Sequence, residues 1–107
     1  MKQLTASQLS QRLTDTSQTA PVLLDVREPW EFALCAIPGS VNMPMKALPA
    51  RYLELNEDAE IVLICHHGMR SYQCGVFLER QGFGGVVNLA GGVAAWAEEV
   101  DADMPRY

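Results

Sequence analysis

The chain has 107 residues, 49% of them apolar. That is material for one domain burying roughly 60–70% of the surface its unfolded form exposes, and no second domain is expected. The formal net charge of −5 argues against a general affinity for nucleic acid or anionic membrane, while leaving room for a local positive site. No apolar run approaches the roughly 20 residues of a membrane span, and residues 1–13 lack a basic start, an apolar block and a cleavage site, so a cytoplasmic location is the default expectation.

Taken in order, Lys2–Leu4 reads as a short edge strand. Thr5 with Gln8 three residues later resembles a capping box, and Leu9 and Leu13 recur at helical spacing, which predicts a first helix over residues 6–13. Residues 14–20 are small and polar, a loop. Pro21 introduces a continuous apolar run, residues 22–26, of the kind found in a strand buried on both faces. A charged turn follows. Pro29 suits the start of a short helix, where its missing N–H costs little, and Ile37-Pro38-Gly39-Ser40 breaks it. Residues 41–43 make a brief strand ending at Pro44. Residues 46–55 form a weaker helix interrupted early by Pro49, and residues 56–60 are an acidic, exposed lead into the next strand.

The most informative stretch is residues 61–83, IVLICHHGMRSYQCGVFLERQGF. Four β-favouring apolar residues, Ile61–Ile64, predict a buried central strand. The pattern stops abruptly at Cys65, His66, His67, Gly68, Met69 and Arg70, a short loop, and Ser71 is a good N-cap for a helix running to about Arg80. A thiol therefore sits where a strand ends and a helix begins, a place where unpaired amides and the helix dipole favour an anion such as a thiolate. After this helix, residues 82–85 turn the chain into a strand over residues 86–88. Gly91-Gly92 opens a last helix over residues 93–99, and a polar tail containing Pro105 closes the chain.

Strands alternating with helices imply a parallel sheet covered on both faces, in which ligands collect beyond the carboxyl ends of the strands. Cys65, Asp25, Arg27 and the loop after Asn88 all fall at that rim. The three cysteines are odd in number and lack disulfide-framework or metal-ligand spacing, which points to at least one free thiol in a reducing compartment. His66 and His67 beside Cys65 invite a metal, but neighbouring residues rarely close a tetrahedral site and no fourth ligand is apparent. No metal and no cofactor is expected. Cys74 and Cys35 read as structural, as do Trp30, Phe32, Phe77 and Trp96, and Gly91-Gly92 reads as a tight helix entry. Asp25 and Arg27 read as an ion pair anchoring the loop.

The segments DVREPWEF, IPGSVNMP, CHHGMRS and NLAGGVAAW, in this order and spacing, resemble the single-domain rhodanese (thiosulfate sulfurtransferase-like) family over nearly the whole chain. Cys65, Gly68, Arg70 and Ser71 meet the family's C-x-x-G-x-R-S pattern, and residues 25–28 meet DVRE. The resemblance implies an α/β fold of three layers, a five-stranded parallel sheet of order 1-5-4-2-3 flanked by helices. It further implies sulfur transfer: Cys65 takes a sulfane sulfur from thiosulfate or a persulfide, becomes a persulfide itself, and passes the sulfur to a thiol or to cyanide. In that reading the helix start, the loop amides and Arg70 favour the thiolate. Gly68 lets the backbone curl around sulfur, and Arg70 pairs with an anionic donor. His66, His67 and Met69, the variable loop positions, shape donor and acceptor choice. Where many members have Gly-His before Ile-Pro-Gly, this chain has Cys35-Ala36, which removes one support of the loop.

Cell-cycle phosphatases and arsenate reductases of similar fold hold five residues between Cys and Arg. This chain holds four, a tighter loop that suits one sulfur atom better than a tetrahedral phosphate. The closing stretch also resembles the rhodanese domain fused to adenylyltransferases that make thiocarboxylated sulfur-carrier proteins. A persulfide carrier or docking module is therefore the alternative to an enzyme, with a sulfur-accepting protein as a further partner beside small donors and thiol acceptors.

Overall fold

The structure, a computed structural model, describes residues 1–107. Five strands, β1 (Lys2–Leu4), β2 (Val22–Asp25), β3 (Val41–Asn42), β4 (Ile61–Ile64) and β5 (Val86–Leu89), form one parallel sheet. Their order is β1-β5-β4-β2-β3, as the family resemblance implied. The middle strand, β4, is buried at all four residues. Its unbroken apolar run follows from that position, since both faces and both edges are covered.

The five α-helices are α1 (Ala6–Thr14), α2 (Pro29–Leu34), α3 (Leu48–Arg51), α4 (Met69–Arg80) and α5 (Gly92–Glu99). No helix is long and apolar enough to cross a membrane. Alternate strand residues feed two separate cores, as the two-residue period of a strand requires. Leu23, Val62, Ile64, Val87 and Leu89 pack with Ala6 and Leu9 of α1 and with Val93 and Trp96 of α5. Leu24, Ile61, Leu63 and Val86 pack with Cys74 and Leu78 of α4 and with Leu48 of α3. Each fully buried Leu, Ile or Val contributes about 1.5–3 kcal/mol, so the β4 side chains join both layers to the sheet.

Local signals explain most boundaries. The Thr5 hydroxyl accepts from the Gln8 N–H at 3.1 Å and the Gln8 side chain accepts from the Thr5 N–H at 2.9 Å, completing the expected capping box of α1. Four expectations are corrected. First, α4 begins at Met69, with Gly68 as its N-cap at φ 102°, so Ser71 is not the cap but lies inside the first turn. A left-handed residue stops the preceding chain more sharply than a hydroxyl can, and glycine adopts it freely. Second, the weak helix over residues 46–55 is three short pieces, a 3₁₀ turn at Met45–Ala47, α3, and a second 3₁₀ turn at Tyr52–Glu54. Third, Trp30 is not core: it is 61% exposed and meets Tyr107 edge to face at 6.0 Å. Fourth, the tail is not merely polar, because Met104 is buried and Tyr107 folds back over the strand ends.

Candidate active site

Cys65 follows β4 directly and is 1% exposed. Its sulfur receives the Gly68 N–H at 3.0 Å, which the left-handed turn at Gly68 aims back at it. The Ser71 hydroxyl lies 3.2 Å from the same sulfur. Ser71 in turn donates to Asn88 Oδ1 at 2.5 Å, while the Asn88 amide nitrogen donates to the Gly68 carbonyl at 3.2 Å and to Gln3 at 3.0 Å. A carbonyl only accepts, so the Gly68 contact fixes which way the Asn88 amide points. A chain of hydrogen bonds thus runs from Cys65 through Ser71 to β5 and the edge strand β1.

The loop is also held from the other side. Val93 N–H donates to the Cys65 carbonyl at 2.9 Å and Ala94 N–H to the His66 carbonyl at 3.1 Å. The first amides of α5, which have no partner within their own helix, therefore bond the loop backbone. Gly91 and Gly92 turn the chain into that position with φ of 80° and 59°. The tight helix entry read from the Gly-Gly pair is present, and it serves the cysteine loop.

Arg70 is paired within the chain. Its guanidinium grips Glu31 with two parallel bonds, 2.7 Å and 2.9 Å, and Glu31 is 4% exposed. Glu31 also accepts from its helix neighbour Glu28 N–H at 2.9 Å and from the Tyr107 hydroxyl at 2.7 Å. The Arg70 hydrogen bonds hold the Glu31 carboxyl down at about 2, with burial opposing and Tyr107 assisting. The same pair raises Arg70 above its ordinary value, again against burial.

The expected ion pair between Asp25 and Arg27 is present and fully buried. Arg27 Nη2 lies 2.7 Å from Asp25 Oδ2, and further bonds of this guanidinium reach the Cys35 carbonyl at 2.6 Å, the Tyr107 hydroxyl at 2.9 Å and the Glu31 carbonyl at 3.3 Å. Burial works against the Arg27 charge, and the bonds to Asp25 and Tyr107 outweigh it, raising its pKa. Asn42 donates to the carbonyls of Asp25 and Arg27 at 3.0 Å and 2.9 Å, tying this turn to β3. At the Cys35-Ala36 step, the Cys35 carbonyl and sulfur both receive the arginine.

His66 is half-buried and sandwiched between His67 and Tyr107, with ring centroids 3.9 Å apart on both sides. Burial, then the adjacent His67 and Arg70, push its pKa down. Burial likewise pushes the Tyr107 phenol up to about 12. Met69 is 73% exposed at the mouth of the loop. Cys74 lies in the core against α4's face of the sheet, and burial pushes its thiol up to about 12. One cleft beside the loop is lined by Cys35, His66, His67 and Tyr107, another by His67, Gly68, Met69, Tyr72 and Asn88. The Cys65 sulfur opens into neither and sits beneath the loop.

Three residues of this network escape sequence reading. Asn88 carries a signal, a polar residue inside the apolar strand β5. The Glu31–Arg70 pair and Tyr107 carry none, because Arg70 lies 39 residues from Glu31 and Tyr107 lies 76 or more residues from its partners.

Residues 5–99 match the rhodanese-like domain family. The chain belongs to that family. It is 41% identical over 97 residues to a sulfurtransferase of Allochromatium vinosum, covering 91% of this chain and 89% of the relative. It is 39% identical over 79 residues to the putative sulfur carrier protein YrkF of Bacillus subtilis, covering 74% of this chain and 43% of that protein. A solved rhodanese-like domain protein from Staphylococcus aureus superposes with a TM-score of 0.84 at 30% identity, over 94% of this chain and 95% of the other.

Two results are expected of the Glu31–Arg70 pair of this rhodanese-like domain. Arg70→Ala leaves a nearly buried carboxylate without its partner and is expected to lower stability by about 1–3 kcal/mol in urea denaturation, the larger value being tempered because Arg70 is itself half-exposed. The second concerns acid. Glu31 has a folded value, about 2, below its ordinary 4.5, so its contribution is complete above pH 4.5 and is lost as pH falls through 2. The stability difference between wild type and Glu31→Gln is therefore expected to narrow over that window. A difference independent of pH would show that the pair does not form.

Proposed function

We propose that this protein is a sulfurtransferase that carries a sulfane sulfur on Cys65 and delivers it to a thiol or to cyanide. The observation that carries the reading is the Cys65 sulfur at the carboxyl end of the central strand, met at 3.0 Å by the Gly68 N–H within the C-x-x-G-x-R-S loop. Four residues separate Cys65 from Arg70, and the closed loop over a 1% exposed sulfur suits addition of a single atom better than entry of a phosphate.

In the first half-reaction the Cys65 thiolate attacks the outer sulfur of the donor, an S–S bond forms at Cys65, and the donor's own S–S bond breaks with its electron pair leaving on the remaining group. In the second, an acceptor thiolate or cyanide attacks the outer sulfur of the Cys65 persulfide and Cys65 leaves as thiolate. Ser71 works as a rotor between these states. With its proton given to Asn88 it accepts from a Cys65 S–H, and when the sulfur is an anion the hydroxyl turns to donate to it. Gly68 N–H donates throughout. His66, His67 and Met69 border the approach and influence which donor and acceptor fit, while Asp25 and Arg27 position the turn that carries Glu31.

The test is mass spectrometry of the protein after exposure to a sulfane donor. One added sulfur located on Cys65, removable by cyanide, is the expected result, and an unlabelled Cys65 with hydrolysis of an aryl phosphate would overturn the reading. A second reading, a persulfide carrier for a partner protein, is favoured by the similarity to a putative sulfur carrier protein. A Cys65 persulfide that passes to a protein thiol faster than to cyanide would select it.

A further inference from the structure

The arginine motif of the loop suggests an anionic donor, yet the structure leaves little positive charge at the loop unpaired. Arg70 is bound bidentately by Glu31, Arg27 is buried on Asp25, and Arg106 at the edge of the neighbouring cleft lies 3.9 Å from Glu98. Lys46 lies 3.8 Å from Glu28. The Val93 and Ala94 amides of α5 are occupied by the carbonyls of Cys65 and His66, which leaves the first amides of α4 as the partial positive charge at the loop. Glu31 is itself held by four hydrogen bonds, including one from Tyr107, so Arg70 cannot turn to a donor without stranding a nearly buried carboxylate, which is costly.

Thiosulfate transfer expels sulfite, a dianion, and its transition state gathers charge on that leaving group. Persulfide transfer expels a thiolate, a single charge: Cys65–S⁻ + R–S–SH gives Cys65–S–SH + R–S⁻, with one S–S bond made, one broken, and no external oxidant or reductant needed. A site whose arginines are already matched by carboxylates discriminates against the first and tolerates the second. Building on the sulfur-transfer reading above, we infer that Glu31, locked onto Arg70 and braced by Tyr107, makes Cys65 selective for persulfide donors over thiosulfate. Glu31 is on this account a specificity-determining residue that acts through Arg70.

The experiment compares kcat/KM for cysteine persulfide and for thiosulfate, with cyanide as acceptor, at pH 8. In the wild type the persulfide is expected to be preferred by about a hundredfold or more. In Glu31→Gln, which frees the Arg70 charge while keeping the side-chain shape, the preference is expected to fall by about tenfold, the effect of one unmatched charge on a dianion near a protein surface. A wild-type preference near one, or a Glu31→Gln preference within about twofold of wild type, would overturn the inference. The wild-type ratio needs no variant to fold. Failure of both donors to load Cys65 would instead count against the sulfur-transfer reading itself.

Discussion

Cys65→Ser is expected to abolish sulfur transfer from any donor, a loss of at least about a thousandfold, because a serine hydroxyl cannot hold a sulfane sulfur as the persulfide that the two half-reactions share. The substituted protein is expected to remain folded. The Gly68 N–H at 3.0 Å and the Ser71 hydroxyl at 3.2 Å from the sulfur are partners that suit an oxygen as well. Cys35→Ala and Cys74→Ala are expected to retain activity. Cys74 is packed within the α4 core with its thiol pushed up to about 12, and Cys35 meets Arg27 chiefly through its carbonyl, which alanine keeps. Alanine is preferred to serine at both buried positions because a new hydroxyl there would need its own partner. Activity surviving in Cys65→Ser, measured as thiocyanate release, would remove Cys65 from the reaction.

The second large effect is expected at a residue that touches no substrate. A methyl group at Gly92 would collide with the carbonyl oxygens of Cys65 and His66, both backbone atoms, at a position whose φ of 59° is already unfavourable for a side chain. Gly92→Ala is expected to cost about 2–4 kcal/mol in urea denaturation. It is also expected to slow sulfur loading of Cys65, because the neighbouring Val93 and Ala94 amides bond the loop. Gly84→Ala is the matching control. A methyl there meets nothing within 4 Å, and the expected change is within about 0.5 kcal/mol. Equal behaviour of the two variants would show that the helix entry does not carry the loop.

Sequence reading located the strands closely because buried parallel strands announce themselves as short unbroken apolar runs; β1 and β4 coincide with their predicted spans. It also brought Cys65, Asp25 and Arg27 to one rim, since the chain direction of a parallel sheet dictates which strand ends meet. The start of α4 was less legible. Ser71 has the composition of a cap, but composition cannot reveal that Gly68 would adopt a positive φ and begin the helix earlier. The charge state of the loop was not legible at all. Arg70 looked free because nothing near it in sequence opposes it; its carboxylate lies on α2, and the tyrosine that braces the pair belongs to a stretch without periodicity. Long-range pairing of polar residues leaves no local pattern to read.

The bonds from α5 to the loop backbone have one more consequence. Because Cys65 and His66 are fastened through their carbonyls, and the turn at residue 68 through glycine's conformation, the frame of the loop is held by backbone and not by the side chains at residues 67 and 69, while the residue-66 ring packs on Tyr107. The loop is a socket with a rim of side chains over a floor of backbone, so residues transplanted at 67 and 69 from another chain of this fold are expected to leave the sulfur where it is.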